Sequence, residues 1–361
     1  MLPWGPCLIQ SRRLAATVPT QLSLEIDKPR AVINIRIVEF QYMRDCIHTP
    51  VVLIIFKRPD LTARVLAAIA QARPSLLLVI ADGPRAAYPE EAEKCRQTRA
   101  LLQSVNWPCE VRTCFSDTNM ACGRRVATGL DWVFNQVEQA IILEDDCVAH
   151  PSFFGYCQEL LERYRDEPRI MQISGNNFQP AGWRCPYSYY FSRRMHVWGW
   201  ATWRRAWRLF DADMLQWPSF RDAGRLTEVL DDPFEVMMWQ RYFDANYKGR
   251  VDVWDTQWIF ACWLHGGLSI TPAVNLVSNI GFRADATHTT WQTKMADRPT
   301  ADIGELRHPP GIEIASAEDA WDFLEVFNGR SFTRRNRLHR RLARLPARLL
   351  QKWFCGLDLW S

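Results

Sequence analysis

Four apolar residues, Ala140-Ile141-Ile142-Leu143, run straight into three carboxylates, Glu144-Asp145-Asp146. A run this short reads as a strand, and a strand apolar on both faces belongs inside an α/β sheet. In open sheets of that kind ligands collect beyond the carboxyl ends of the strands. Three neighbouring acids there repel one another unless a cation sits among them. A hard dication such as Mg²⁺ or Mn²⁺ suits them, because it takes one or two carboxylates and completes its shell with water and phosphate oxygens. The stretch therefore points to a metal–diphosphate site, with a solvated acidic loop as the plainer alternative.

The same alternation extends on both sides. Residues 50–56 read as a first strand, and Pro59 and Asp60 suit the start of a helix whose apolar face is Leu61, Val65, Leu66 and Ile69. Leu76–Ala81 reads as a second strand ending in Asp82-Gly83-Pro84, followed by a charged helix over 89–104 and a third strand near Cys109–Phe115. A helix over 119–138 leads into the acid-terminated strand, and a helix over 152–165 leads into a strand at Ile170–Ser174. Strand–helix alternation of this kind predicts an α/β fold, a mostly parallel central sheet flanked by helices on both faces. Beyond Asn176 the text turns irregular and aromatic, and reads as a substrate-side extension of the same unit. Residues 1–48 show weak periodicity and no chemical motif, and are expected to be a poorly structured N-terminal extension. The body is then 49–328, with a nucleotide-binding half at about 49–150 and an acceptor half at about 151–328, followed by a tail over 329–361.

Composition narrows the class. With 361 residues, 48% of them hydrophobic, the chain can bury a large core. Eleven Cys, without CxxC or Cys/His spacing and without a visible secretory apolar core, argue against a zinc cluster or a disulfide framework and for reduced thiols in a cytosol. No apolar run approaches the length a membrane helix needs. Net charge is +4, but eight Arg and one Lys, with no acid, lie between Arg330 and Lys352. That leaves 35 basic and 39 acidic residues in 1–329, a net of −4. A basic tail on an acidic body places Leu338, Leu342, Leu345, Leu349 and Trp353 on one helical face, with Pro346 as a kink. Such a helix suits the surface of an anionic membrane, so the expected location is cytoplasmic, peripheral on the inner face of a bacterial cell membrane. Packing of the tail against its own fold is the alternative. Nucleic acid is not expected, since no binding motif accompanies the charge.

The order of these features resembles the GT-A fold of nucleotide-sugar glycosyltransferases, in particular N-acetylglucosaminyltransferase I and its bacterial relatives, over residues 50–290. That family carries an Glu-Asp-Asp version of the metal motif, matched by Glu144-Asp145-Asp146, an Arg after the first strand, matched by Arg58, and an Asp at the end of the second, matched by Asp82. Its Trp-Asp-Asp-Trp segment is similar to Trp254-Asp255-Thr256-Gln257-Trp258, and a later strand before a Gly is similar to the stretch ending at Gly281. Thr256 departs from the second Asp of that segment and leaves Asp255 alone as the candidate base.

The resemblance implies an inverting, metal-dependent glycosyl transfer from a nucleoside-diphosphate donor, UDP-linked in the first instance, to a glycan or lipid-linked acceptor. Asp146 is then the direct Mn²⁺ or Mg²⁺ ligand, with His288 as a second ligand or diphosphate partner. Glu144 and Asp145 would hold waters, sugar hydroxyls or ribose, and Asp82 the base ring. Arg58 and Arg124, with Arg125 beside it, are the candidates for phosphate, since a helix N-terminus there favours anions. Asp255 would take the proton of the attacking acceptor hydroxyl, although Asp before an apolar helical run also suits an N-cap. Trp198 and Trp200, flanking Gly199, are candidates for an acceptor subsite, whereas the helical spacing of Trp200, Trp203 and Trp207 suits core packing.

Each remaining assignment has an ordinary counterpart: Asp82 as a turn residue, exposed Arg as solvated charge, His288 as a loop residue. Two rival functions share the fold. A sugar-phosphate nucleotidyltransferase usually opens with a Gly-rich loop after its first strand, and Phe56-Lys57-Arg58-Pro59-Asp60 has no Gly. A non-catalytic carbohydrate- or membrane-surface-binding protein on a decayed transferase fold is the other.

Overall fold

Successive side chains of a strand point to opposite faces, so a strand apolar throughout needs cover on both sides. The computed structural model describes residues 8–14, 46–283 and 295–343, with 8–14 and 338–343 described through their backbone alone. In chain order the first half holds β1 (Leu8–Leu14), β2 (Val51–Ile55), α1 (Pro59–Ala72), β3 (Leu76–Ala81), α2 (Glu90–Ala100), β4 (Cys109–Phe115), α3 (Cys122–Phe134), β5 (Gln139–Glu144), β6 (Cys147–Ala149), α4 (Pro151–Arg163) and β7 (Ile170–Ser174). The second half holds β8 (Tyr189–Ser192), β9 (Trp200–Trp203), α5 (Arg204–Trp207), α6 (Trp217–Asp222), α7 (Leu226–Val229), α8 (Pro233–Tyr247), α9 (Asp255–Leu264), β10 (Leu268–Pro272), β11 (Val277–Asn279), α10 (Ser316–Glu325) and α11 (Gly329–Ala343).

The fold is mixed α/β, a large central sheet flanked by helices. Nine strands lie in the order β1-β4-β3-β2-β5-β9-β7-β10-β8. β4, β3, β2 and β5 are mutually parallel neighbours, β10 is parallel to β7, and β9 is antiparallel to both β5 and β7. β4, β3, β2, β5, β7 and β10 therefore share one direction, while β1, β8 and β9 run against it. The order reverses between β2 and β5, with α1 and α4 packed on one face of the sheet and α3 on the other. Val51, Leu53 and Ile55 join the cluster that α1 fills with Val65, Leu66 and Ile69 and α4 with Phe153, Phe154 and Leu160. Val52 and Ile54 join the other, filled by Val126, Leu130 and Val133 of α3 and by a group of tryptophans from α5 to α9.

The structure departs from the sequence reading in four places. Within the extension expected to lack structure, Leu8–Leu14 forms an edge strand antiparallel to β4. The supposedly irregular half contributes β8, β9 and β10 to the one sheet. Trp200 and Trp203, placed on a helix by their spacing with Trp207, instead bound strand β9, and Trp207 ends the short helix that follows. Cys114 is disulfide-bonded, against the expectation of reduced thiols throughout, while eight other cysteines among the described residues are free. Among the described residues no helix is long and apolar enough to cross a membrane. The start of the basic tail packs on the body, where α11 lies along α8 with Arg241 over the Phe332 ring and Arg337 over the Phe234 ring.

Candidate active site

A cleft of about 280 Å³ opens at the carboxyl ends of β2, β3 and β5, at the point where the strand order reverses. Arg58, Asp82, Glu144 and Asp145, four of the residues expected at the donor, line it together. Asn119, Arg125 and Asp252 line it as well.

The acidic triplet sits on a turn. β5 ends at Glu144, and β6 leaves the main sheet to pair with β11, which sets Cys147 opposite Asn279. The main chain beyond that pair closes on Asp146: the Ile280 N–H donates to the Asp146 carbonyl at 2.9 Å. A Cβ at Gly281 would stand 1.9 Å from Asp146 Oδ2, so only glycine fits there.

Arg58 lies at the N-cap of α1, one strand over from the triplet. Its Nη2 donates to Asp145 Oδ1 and, at 2.8 Å, to Asp146 Oδ2, while Nε reaches Asp145 Oδ2 at 3.4 Å. Burial works against the charge of Arg58, but Asp145 and Asp146 outweigh it and hold the guanidinium above the ordinary arginine pKa. Burial raises the Asp145 carboxyl, with the Arg58 charge opposing and Asp146 adding to the rise. Glu144, which makes no pair with Arg58, is pushed up to about 8 by burial and by the Asp146 and Asp145 charges.

This donor set bears on the expected Mn²⁺ or Mg²⁺. Arg58 takes both Asp145 oxygens and Asp146 Oδ2, leaving Asp146 Oδ1 to the Cys147 thiol at 3.5 Å, and the described residues contain no group of three or more His, Cys, Asp or Glu placed to hold an ion. As arranged, the pair fits a guanidinium rather than a resident metal. His288, the expected second ligand, lies outside the described residues.

Asp82 lines the cleft but is committed to its own loop. Oδ1 accepts from the Gly83 and Met120 N–H groups at 2.9 Å each, and Oδ2 from Asn119 Nδ2 at 2.9 Å and Met120 N–H at 3.2 Å. These four bonds use the lone pairs a carboxylate offers. They tie the carboxyl end of β3 to the chain entering α3, and burial raises the Asp82 pKa against them. At the N-terminus of α3, where a phosphate was expected, Asp252 accepts from the Cys122 and Gly123 N–H groups at 2.9 Å each. Ala121, just before, holds a φ of 68°, a strained value at the cleft wall. Arg124 is exposed and is not part of the lining; Arg125 is the buried neighbour that faces the cleft, with Nη2 donating to the Cys114 carbonyl at 2.7 Å.

Glu91 of α2, not foreseen from sequence, clamps two walls of the cleft. It takes Lys57 Nζ at 2.5 Å from the loop after β2, and the Arg85 N–H and Nε at 3.1 Å from the loop after β3. Burial would raise its pKa, but Arg85 and Lys57 prevail and lower it to about 2.

Asp255 is the first residue of α9, with Trp254 at the cap position, and accepts from the Thr256 N–H at 2.8 Å. It does not line the cleft, yet lies near enough to Glu144 for its charge to help raise that pKa. Trp198 is half-buried, its ring edge-on to Phe178 and to Phe282, the residue after Gly281. Trp200, also proposed for an acceptor, is fully buried and packs on Trp254 and Trp258, so it offers no face to a ligand. Gly199 does make the expected turn, at a φ of 74°.

The arrangement is an α/β cleft with an acid pair, a guanidinium and a protonatable Glu at a strand switch point. No family model matches the chain, and no curated protein does. Among solved structures, UDP-glucose pyrophosphorylase complexed with UDP-glucose is similar at 11% identity over 38% of this chain and 66% of that one, with a TM-score of 0.23. The apo form of UDP-glucose pyrophosphorylase is similar at 8% identity over 44% of this chain and 79% of that one, with a TM-score of 0.26. Likenesses at those scores add no weight to what the topology shows by itself.

Proposed function

We propose that the protein is a nucleotide-sugar-dependent transferase that moves a sugar from a nucleoside-diphosphate donor onto a hydroxyl of a glycan or glycolipid. The observation that carries this reading is the convergence of Arg58, Glu144 and Asp145 on one cleft at the strand switch point, with Asp146 bonded to the same Arg58 and Asp255 within electrostatic reach. The diphosphate lies against Arg58. Glu144, at the end of β5 in the cleft wall, can hydrogen-bond a ribose or sugar hydroxyl. Asp255 accepts the proton of the acceptor hydroxyl as that oxygen attacks the anomeric carbon; the bond to the diphosphate breaks, its electron pair leaves with the diphosphate, and configuration inverts. Trp198, with Phe178 and Phe282 beside it, offers an aromatic surface for the acceptor. The basic tail brings the enzyme to an anionic membrane, where a lipid-linked acceptor would be found.

Nucleotidyl transfer to a sugar phosphate is the second reading, since the same cleft can hold its substrates. The loop after β2 still lacks the glycines of that class. The test is a panel of nucleotide sugars scored for release of free nucleoside diphosphate, run beside a panel of nucleoside triphosphates with sugar 1-phosphates scored for pyrophosphate. Nucleoside diphosphate from one donor supports the transferase, and pyrophosphate supports the second reading. Sugar or membrane binding with neither product would leave a non-catalytic protein.

A further inference from the structure

Granted the donor site proposed above, on which this rests, we propose that Arg58 stands in place of the divalent ion and holds the donor diphosphate directly. Both oxygens of Asp145, which lines the cleft, and Oδ2 of Asp146 are turned onto one guanidinium through its Nη2 and Nε. Its Nη1 has no partner among the described residues, so two N–H donors of a group that lines the cleft remain for a ligand. A guanidinium presents donors in a planar fork that matches phosphate oxygens, and it does so without dissociating from the protein.

The position is built. Arg58 is fixed by the start of α1, where its carbonyl accepts from the Thr62 N–H at 2.9 Å and Thr62 Oγ1 at 2.8 Å. Its side chain is 14% exposed, enough to meet a ligand from one side while the acids hold it from the other. Neighbouring cations are tied to structural partners: Lys57 and Arg85 to Glu91, and Arg125 to the Cys114 carbonyl. The missing side chain of Gly281 leaves the space that Asp146 Oδ2 occupies as it meets Arg58. The acid pair thus acts as the anchor of the cation, and the guanidinium as the contact to the diphosphate.

The test uses the full chain and titrates UDP, GDP, CDP and dTDP calorimetrically, in excess chelator and again in Mn²⁺, with the Mn²⁺ spin-resonance signal followed separately. One nucleoside diphosphate is expected to bind in chelator as tightly as in Mn²⁺, and the wild-type protein is expected to leave the free Mn²⁺ signal unchanged. Arg58→Ala should weaken that binding by about tenfold or more, Arg58→Lys by less, since the charge stays and the fork is lost. Binding that needs Mn²⁺, a wild-type protein that takes up the ion, or binding in chelator that survives Arg58→Ala would each overturn the proposal. Failure of all four nucleotides under both conditions would instead remove the donor site itself. The wild-type comparison needs no variant, so an Arg58→Ala protein that misfolds leaves the question decidable.

Discussion

Single atoms decide much of this site. The missing Cβ of Gly281 is what lets Asp146 Oδ2 stand where it meets Arg58. Gly281→Ala is therefore expected to push the carboxylate aside, costing about 1–3 kcal/mol of stability. It should also weaken nucleoside-diphosphate binding by about tenfold, read by calorimetry on a protein whose fold is checked by circular dichroism. The two candidate acceptor tryptophans separate at the same scale. Trp200 is fully buried, so Trp200→Ala should cost about 3–5 kcal/mol in a denaturant titration. Trp198→Ala, at a half-buried position, should cost less and appear instead as a raised KM for acceptor.

At the scale of elements, the two loops forming the cleft floor are held by a helix that no motif pointed to. Glu91 ties α2 to Lys57 and Arg85, and its pKa falls from 4.5 to about 2 on folding. A carboxylate with a depressed folded pKa adds stability above its unfolded pKa, and that stability is lost as the pH falls through the folded value. Glu91→Gln is expected to destabilise by about 1–3 kcal/mol near neutrality. The gap to wild type should close as the pH drops from 4.5 toward about 2, measured by denaturant midpoints across that range. A gap that stays constant would mean the clamp owes nothing to ionisation. The elements themselves were legible where one rule sufficed. Leu76–Ala81 and Cys109–Phe115 were read with these same bounds, and Pro59 marked the start of α1. Strand β9 was not, because three tryptophans at helical spacing outweighed a four-residue strand that exists only through its neighbours β5 and β7. Asp252 was equally hidden: it caps a helix whose first residue, Cys122, lies 130 positions earlier, and no local pattern carries that pairing.

For the molecule as a whole, the sequence announced one α/β sheet because apolar strands and amphipathic helices alternate up to residue 174. It did not announce that the later half completes that sheet. The basic tail remains a prediction at this scale. The full chain should bind vesicles of anionic phospholipid and release them as salt rises, while a chain lacking 344–361, which loses Leu345, Leu349, Trp353 and three of the nine cations, should bind more weakly. Equal binding by both would assign the charge to other surfaces. The placement of β9 has a consequence for how the chain is made. When β7 emerges from the ribosome, the strand that separates it from β5 has not yet been synthesised. Both edges must wait through some 25 further residues, open to other chains, before Trp200–Trp203 closes the gap. The two halves of the chain are therefore not separable products: a chain stopped after residue 174 would be left with open strand edges rather than a smaller domain.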